Sequence, residues 1–353
     1  MMKLKSMPSE IDCLLRLSAR IGRDRLLTQA SNGNTSIKLD QVLWIKASAK
    51  WLSNALQEDI LVPIDLALAK NYLRQNKDLR SVQANSSGRD LRPSIETAMH
   101  VVLGHRVVVH VHSVNSIALG IRSDARQHLR RRLEGLRWEW LPYVPSGLPL
   151  GEAVERVVRD SPSTDVIVLG NHGLIVCGRY CDSVEELLDE VERRLALNPR
   201  RAPDFDSDFL RRLAREGSGW RLPEHTALHA LATDAISRKI LSGGVLYPCQ
   251  AIFLGGSDAW KCFYSGLYSE AAKKLKSQSE GQPFAILEGR GVLISDNITS
   301  AELETLLGLV EVVQRVDDPA SIRYLTSGQL QAVSKLGGYR ITSASFERPV
   351  LSA

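Results

Sequence analysis

At 353 residues the chain is long for one domain and comfortable for two, and either half could bury a core of its own. Its apolar and charged content is that of an ordinary globular protein, which excludes a disordered or low-complexity chain. A net charge of +5 is modest for this length, and its basic excess gathers in stretches such as 126–132 around Leu129, without aromatic interleaving; this reads as a solvated helix face, not a nucleic-acid surface.

The first 22 residues hold two lysines but no uninterrupted apolar core or small-residue cleavage site, so they read as an amphipathic helix and not a signal peptide. That helix is expected from about Ser9, with Ile11, Leu14, Leu15 and Ala19 on one side. A polar turn over 30–34 leads into strands at 35–39 and 42–46, with Gln41 turn-like ahead of the second. A helix is expected over 63–74, and the Ser-, Asn- and Gly-rich stretch 83–89 reads as a surface loop. Arg92-Pro93-Ser94 opens another helix with Ser94 as its cap and Ala98, Met99 and Val102 on its apolar face. The apolar runs 107–111 and 165–169 are buried strands; a tight turn over 170–173 leads into a further strand, 174–177. Asp182 or Ser183 caps a long helix reaching about 197.

A proline-bearing polar break at 198–203 suggests a boundary. Beyond it the pattern predicts helices over 206–215 and 224–241, a strand at 251–254 and a helix over 267–276. A strand pair at 284–287 and 291–294 and a helix from 300 to about 314 complete it. Strands mixed with helices on this scale mean layered α/β domains. Five scattered cysteines without a CxxC argue for a reducing compartment, no run approaches the roughly 20 apolar residues of a membrane span, and a cytoplasmic location is the default.

The most informative stretch is Val108-Val109-His110-Val111-His112. Residues i and i+2 of a strand project from one face, so two imidazoles can converge on one metal. His172, in the turn after a second apolar strand, can aim at the same point, and Glu96 stands at a nearby helix start. Three histidines suit a zinc centre with an open position, although an HxH can also be two unrelated side chains and Glu96 a first-turn glutamate complementing the helix dipole. His100, one turn after Glu96, could face the site or the core; His105 and His128 read as surface residues, and His225 and His229 as an exposed helix pair.

In this order the residues resemble the class II aldolase/adducin family. The turn Asn32-Gly33-Asn34-Thr35-Ser36 is similar to the family's phosphate loop, and Pro93-Ser94-Ile95-Glu96 to the motif carrying its catalytic acid. His110, His112 and His172 match its zinc ligands. The spelling RPSIETAMH at 92–100, the downstream Ile117-Ala118-Leu119-Gly120 and Tyr247-Pro248 resemble most the aldolase part of bifunctional rhamnulose-phosphate aldolase/short-chain dehydrogenase proteins. No GxGxxG follows a strand in the C-terminal half, Lys46-Ala47-Ser48-Ala49 stands where the family usually has glycine, and Ile95 replaces a serine.

The resemblance implies a three-layer α/β/α class II aldolase-like domain over 1–197, followed by a linker (198–222) and a smaller α/β domain (223–353). It implies Zn2+ or another divalent metal, and retro-aldol cleavage of a ketose or ketose 1-phosphate through a metal-held enediolate. Glu96 would move the proton at the donor carbon, and Tyr143 would serve the aldehyde oxygen. Asn32, Gly33, Asn34, Ser36, Lys46, Ser48 and Ser94 would meet the substrate or its phosphate. A dehydratase or epimerase could use the same metal site, and an adducin-like interaction protein is the non-catalytic alternative. The expected partners are a small sugar or sugar phosphate and further copies of the chain in a homo-oligomer, not nucleic acid or membrane.

Overall fold

A computed structural model describes residues 9–79, 82, 91–216, 219–255, 263–264, 268–277 and 282–336. The loop expected at 83–89 lies outside them. The chain divides into two compact units, Met1–Ser116 with Arg126–Ala196, and Ile117–Ala125 with Leu197–Ala353.

In chain order the first stretch runs α1 (Ser9–Arg23), β1 (Asn34–Leu39), β2 (Val42–Lys46), β3 (Leu61–Asp65), α2 (Leu66–Arg74), α3 (Thr97–Val102) and β4 (Val107–Val111). It continues through α4 (Val114–Gly120), α5 (Ala125–Arg132), β5 (Trp138–Leu141), α6 (Leu148–Asp160), β6 (Val166–Leu169), β7 (Gly173–Gly178) and α7 (Cys181–Leu195). The strands form a seven-stranded sheet in the order β3-β2-β1-β4-β7-β6-β5, antiparallel except for β5 beside β6. On one face Met99 of α3, Leu103 just after it, and Leu150 and Val154 of α6 pack on Val108, Ile167, Leu169, Ile175 and Cys177. On the other, α1 and α7 lie against β1, β4 and β7. This is the expected three-layer arrangement, and β4 can be an unbroken buried run because helices cover both its faces.

Three expectations in this unit need correction. The helix drawn from 63 starts at Leu66; Pro63 instead stands opposite Trp44 in β3, an edge strand, where a residue without an N–H breaks no ladder. Nor does Ser94 cap α3. The chain makes a turn at 95–96 first, with Ser94 Oγ accepting from Glu96 N at 3.2 Å, and Glu96 becomes the cap position. Similarly α7 starts one residue before Asp182, after an extended Tyr180, and the Ser183 hydroxyl donates back to Tyr180 O. The arginines of α5 are exposed or half-exposed around a buried Leu129, as a solvated face requires.

The second unit runs α8 (Ser207–Glu216), β8 (Trp220–Arg221), α9 (Ala230–Thr233), α10 (Ala235–Ser242), α11 (Pro248–Leu254), β9 (Phe263–Tyr264), α12 (Tyr268–Ser277), β10 (Phe284–Leu287), β11 (Gly291–Ser295), α13 (Ser300–Gln314) and α14 (Ser327–Leu336). Its sheet has the order β8-β11-β10-β9. The segment drawn as a linker over 198–222 therefore carries α8 and an edge strand, because Leu210, Leu213 and Trp220 complete the core around Ala285, Leu287 and Leu293. Residues 117–125, expected with the first domain, group with this unit: Arg323 N donates to Ile121 O at 2.7 Å and Ser123 N to Ser321 O at 2.6 Å. The helix expected over 224–241 is broken at Asp234, whose carboxylate accepts from Ile236 N and Ser237 N and so starts a new helix. The apolar run 251–254 is helical, entered through Pro248 and left at Gly255 with φ +91°. Four apolar residues in a row do not by themselves separate a strand from a buried helix.

Candidate metal centre

The strand β4 lies between β1 and β7, with His110 opposite Asn34 on one side and Ile175 on the other. His110 and His112 share the face covered by α3 and α6, the face of Val108. His172 arrives from the β6–β7 hairpin, in which Leu169 pairs with Gly173 and Asn171 turns the chain at φ +52°. Gly173 is required there, since a Cβ would collide with Val111 O and stand 3.2 Å from His112 Cα. Gly33 has the same role on the opposite side: its φ is +69° and a Cβ would come within 2.8 Å of His110 O.

Glu96, His110, His112 and His172 are all buried, and one ligand atom from each falls within 4.8 Å of the others. His110 Nε2 and His112 Nε2 are 3.1 Å apart, Glu96 Oε2 is 3.5 Å from His110 Nε2, and Glu96 Oε1 is 3.0 Å from His172 Nε2. In a tetrahedral zinc site with bonds of about 2.05 Å, neighbouring ligand atoms stand roughly 3.3 Å apart, so these separations fit. The donor set fits as well. His110 Nδ1 lies 3.1 Å from Leu174 O, which can only accept; the proton is therefore on Nδ1 and the Nε2 lone pair points to the centre. Burial pushes His110 down to about 4 and His112 well below its ordinary value, so both imidazoles are neutral at pH 7 and able to bind a cation. The four residues form a group that can hold a divalent metal ion.

Burial also works against the charge of Glu96, but the neighbouring His110 and the hydrogen bond with His172 outweigh it and hold the carboxyl well below the usual range. Two further donors hold this carboxylate: Asn34 Nδ2 at 2.8 Å on Oε2 and Ser146 Oγ at 3.1 Å on Oε1. Ser146 was not singled out from the sequence. Its loop, between β5 and α6, carries no motif signal beyond the neighbouring Gly147 at φ +95°. Tyr143 lies in the same loop with its backbone against Gly170 in the His172 turn, and its side chain is half-buried.

The residues expected to meet a phosphate are mostly engaged within the protein. Ser36 Oγ is fully buried, 2.7 Å from His100 Nδ1. Lys46 is buried too, and its ammonium donates to Ser31 O at 2.8 Å and Lys50 O at 2.6 Å, while burial lowers it to about 7. It therefore clips two loops together. Ser94 Oγ accepts from Glu96 N and lies 3.4 Å from Asn34 Nδ2. Ser48 is half-exposed, its N–H donating to Arg92 O. Asn32 differs: its Nδ2 is buried with no partner among the described residues. His100 is neither ligand nor surface group, being fully buried between Ser36 and Asn34. His105 pairs with Asp165, whereas His229, expected on an exposed helix, is buried and stacked on Phe205, with Nδ1 accepting from Val292 N.

Among known proteins, an uncharacterized oxidoreductase of Bacillus subtilis, YuxG, is 26% identical over 195 residues, 50% of this chain and 28% of that protein. The chain thus spans under a third of the length of this curated relative. Solved structures with a similar fold include the N-terminal class II aldolase domain of a conserved Thermoplasma acidophilum protein. It is 24% identical with TM-score 0.47, and the match covers 54% of this chain and 94% of that one. Another is the L-fuculose-1-phosphate aldolase of Thermus thermophilus, 15% identical with TM-score 0.38, covering 53% and 92%. The family described as Class II Aldolase and Adducin N-terminal domain matches residues 14–198, just over half of the chain. The chain belongs to the class II aldolase/adducin family.

Proposed function

We propose that this protein is a metal-dependent aldehyde-lyase that cleaves a ketose or ketose 1-phosphate in a retro-aldol reaction, with zinc as the metal. The observation that carries this reading is the buried convergence of three imidazoles and one ionised carboxylate, and family membership supports it. Bound by His110, His112 and His172, the metal supplies Lewis-acid stabilisation of the negative charge that develops on the substrate's carbonyl oxygen.

The chain's own groups handle the protons. In the aldol direction the ionised Glu96 removes a proton from the donor carbon, and Tyr143 donates one to the oxygen of the aldehyde as the new carbon–carbon bond forms. Cleavage reverses both transfers. Asn34 and Ser146, each on one oxygen, fix the plane of the Glu96 carboxylate so that it need not reorganise when the proton moves. A homo-oligomer is the expected assembly.

Two measurements test the reading. Metal analysis and zinc titration should find about one divalent ion per chain, and a protein that neither holds nor takes up metal sinks the proposal. With a panel of ketoses and their 1-phosphates, release of a three-carbon hydroxyketone should be lost in Glu96→Gln; undiminished turnover removes Glu96 from the mechanism.

A further inference from the structure

An asparagine amide offers an oxygen and a nitrogen on nearly the same footprint, so its partners decide which way it faces. Asn34 must present its nitrogen to Glu96, because its oxygen would repel the carboxylate. What holds the other end of the amide is His100, whose Nε2 contacts Asn34 Oδ1 in a short hydrogen bond while Nδ1 lies 2.7 Å from Ser36 Oγ. The arrangement follows from two periodicities. Asn34 and Ser36 are two apart on β1 and so share a face, and Glu96 and His100 are four apart and so share a side of the turn of helix above it.

We propose that His100 is a positioning residue: as a neutral imidazole with its proton on Nε2, it locks the Asn34 amide in the one orientation that donates to Glu96. With the imidazole neutral, only one assignment of protons satisfies the row. Asn34 Oδ1 can only accept, so His100 Nε2 donates; Nδ1 then accepts from the Ser36 hydroxyl, and Asn34 Nδ2 donates to Glu96 Oε2. Donors aligned head to tail polarise one another toward the carboxylate. Complete burial keeps the imidazole neutral, its value driven well below the ordinary one. A protonated His100 would instead direct a second N–H at Ser36. The kinetic consequence rests on the role proposed for Glu96 above; the hydrogen-bond pattern does not.

The test therefore has two arms, both on the full chain. The first uses imidazole 15N NMR of the metal-free wild-type protein and needs no variant to fold. His100 should show a single neutral tautomer, protonated on Nε2, from about pH 5 to 8, the window in which ordinary histidines titrate. A proton on Nδ1, or titration of His100 in that window, overturns the proposal. The second follows hydrogen–deuterium exchange at the carbon of dihydroxyacetone and of its phosphate, with zinc bound. His100→Leu should slow exchange at saturating probe roughly tenfold, about 1.4 kcal/mol, with KM unchanged. His100→Gln, whose amide can donate to Asn34 Oδ1 and accept from Ser36, should recover most of the rate. Wild-type exchange in His100→Leu overturns the proposal, as does a uniform loss that His100→Gln fails to rescue. If the wild-type protein exchanges neither probe, the lyase reading fails while the spectra still decide His100.

Discussion

Gly173→Ala isolates the contact on which the convergence of the two histidine strands depends. The added Cβ would sit roughly 1 Å inside van der Waals distance of Val111 O, a backbone atom that cannot rotate away. Relief requires β4 and β7 to part beside the pairs Val111↔Leu174 and His110↔Ile175. Weakening two ladder hydrogen bonds at about 0.5–1.5 kcal/mol each gives a loss of about 1–3 kcal/mol, the range expected for overpacking a tight interior. The same movement separates His112 from His172, so zinc affinity should fall about 10–100-fold, as when a ligand loses its support. Gly104→Ala is the matched control: a Cβ there meets nothing within 4 Å. Urea unfolding of both metal-free variants should show the Gly173 loss and leave Gly104→Ala within about 0.5 kcal/mol of the parent, and calorimetric zinc titration should rank them likewise. If the two variants unfold at the same urea concentration and bind zinc equally, the approach of Gly173 to Val111 is not what registers the histidines.

In the α7 layer, burial raises Glu192 to about 7, against donors from Ser113 and Asn115, and its Oε1 has no hydrogen-bond partner among the described residues. The folded protein then binds more protons here than the unfolded chain between about pH 4.5 and 7, so stability falls as pH rises through that window. Glu192→Gln should stabilise by about 1–2 kcal/mol at pH 8, with the gain fading toward pH 5 in urea titrations; a gain that grows on acidification contradicts the assignment. Lys46→Met should raise KM for a ketose and its 1-phosphate alike, because Nζ serves Ser31 O and Lys50 O; a rise confined to the phosphate would restore Lys46 as an anion ligand. Thr299→Ala removes the capping box of α13 and should lower stability by about 1 kcal/mol in urea titrations. A change under about 0.3 kcal/mol would mean that the cap contributes nothing beyond propensity.

Elements with a strong period or a clean boundary were legible in advance. Strands β2 and β4, the β10–β11 pair and α13 fall where the sequence pattern puts them. Errors fell where tertiary context overrode local pattern. Pro63 is tolerated because β3 happens to be an edge, and strand order is invisible in one sequence. Asp234 ends one helix by starting another, which a search for apolar periodicity does not weigh. His229 carries the i, i+4 spacing of an exposed pair but packs on Phe205, since spacing says which residues share a side and not what faces it.

The centre was legible to the extent that its members sit in short motifs, and the phosphate residues show where that stops. Asn34 and Ser36 come from a turn that resembles a phosphate loop, yet the register Asn34↔His110 and Ser36↔Val108 places them beside β4 and under α3. At that depth each polar atom must find a partner, because an unsatisfied buried group costs about 1–3 kcal/mol. Ser36 and Asn34 find His100, Asn34 and Ser146 find Glu96, and Lys46 finds two carbonyls. The motif specifies which groups are present; register and burial decide what they hold. A phosphate that reached Asn34, Ser36 or Lys46 would therefore have to displace existing hydrogen bonds, whereas the buried Asn32 Nδ2 lacks a partner among the described residues. At Asn32 an incoming anion or hydroxyl would gain a hydrogen bond without breaking one.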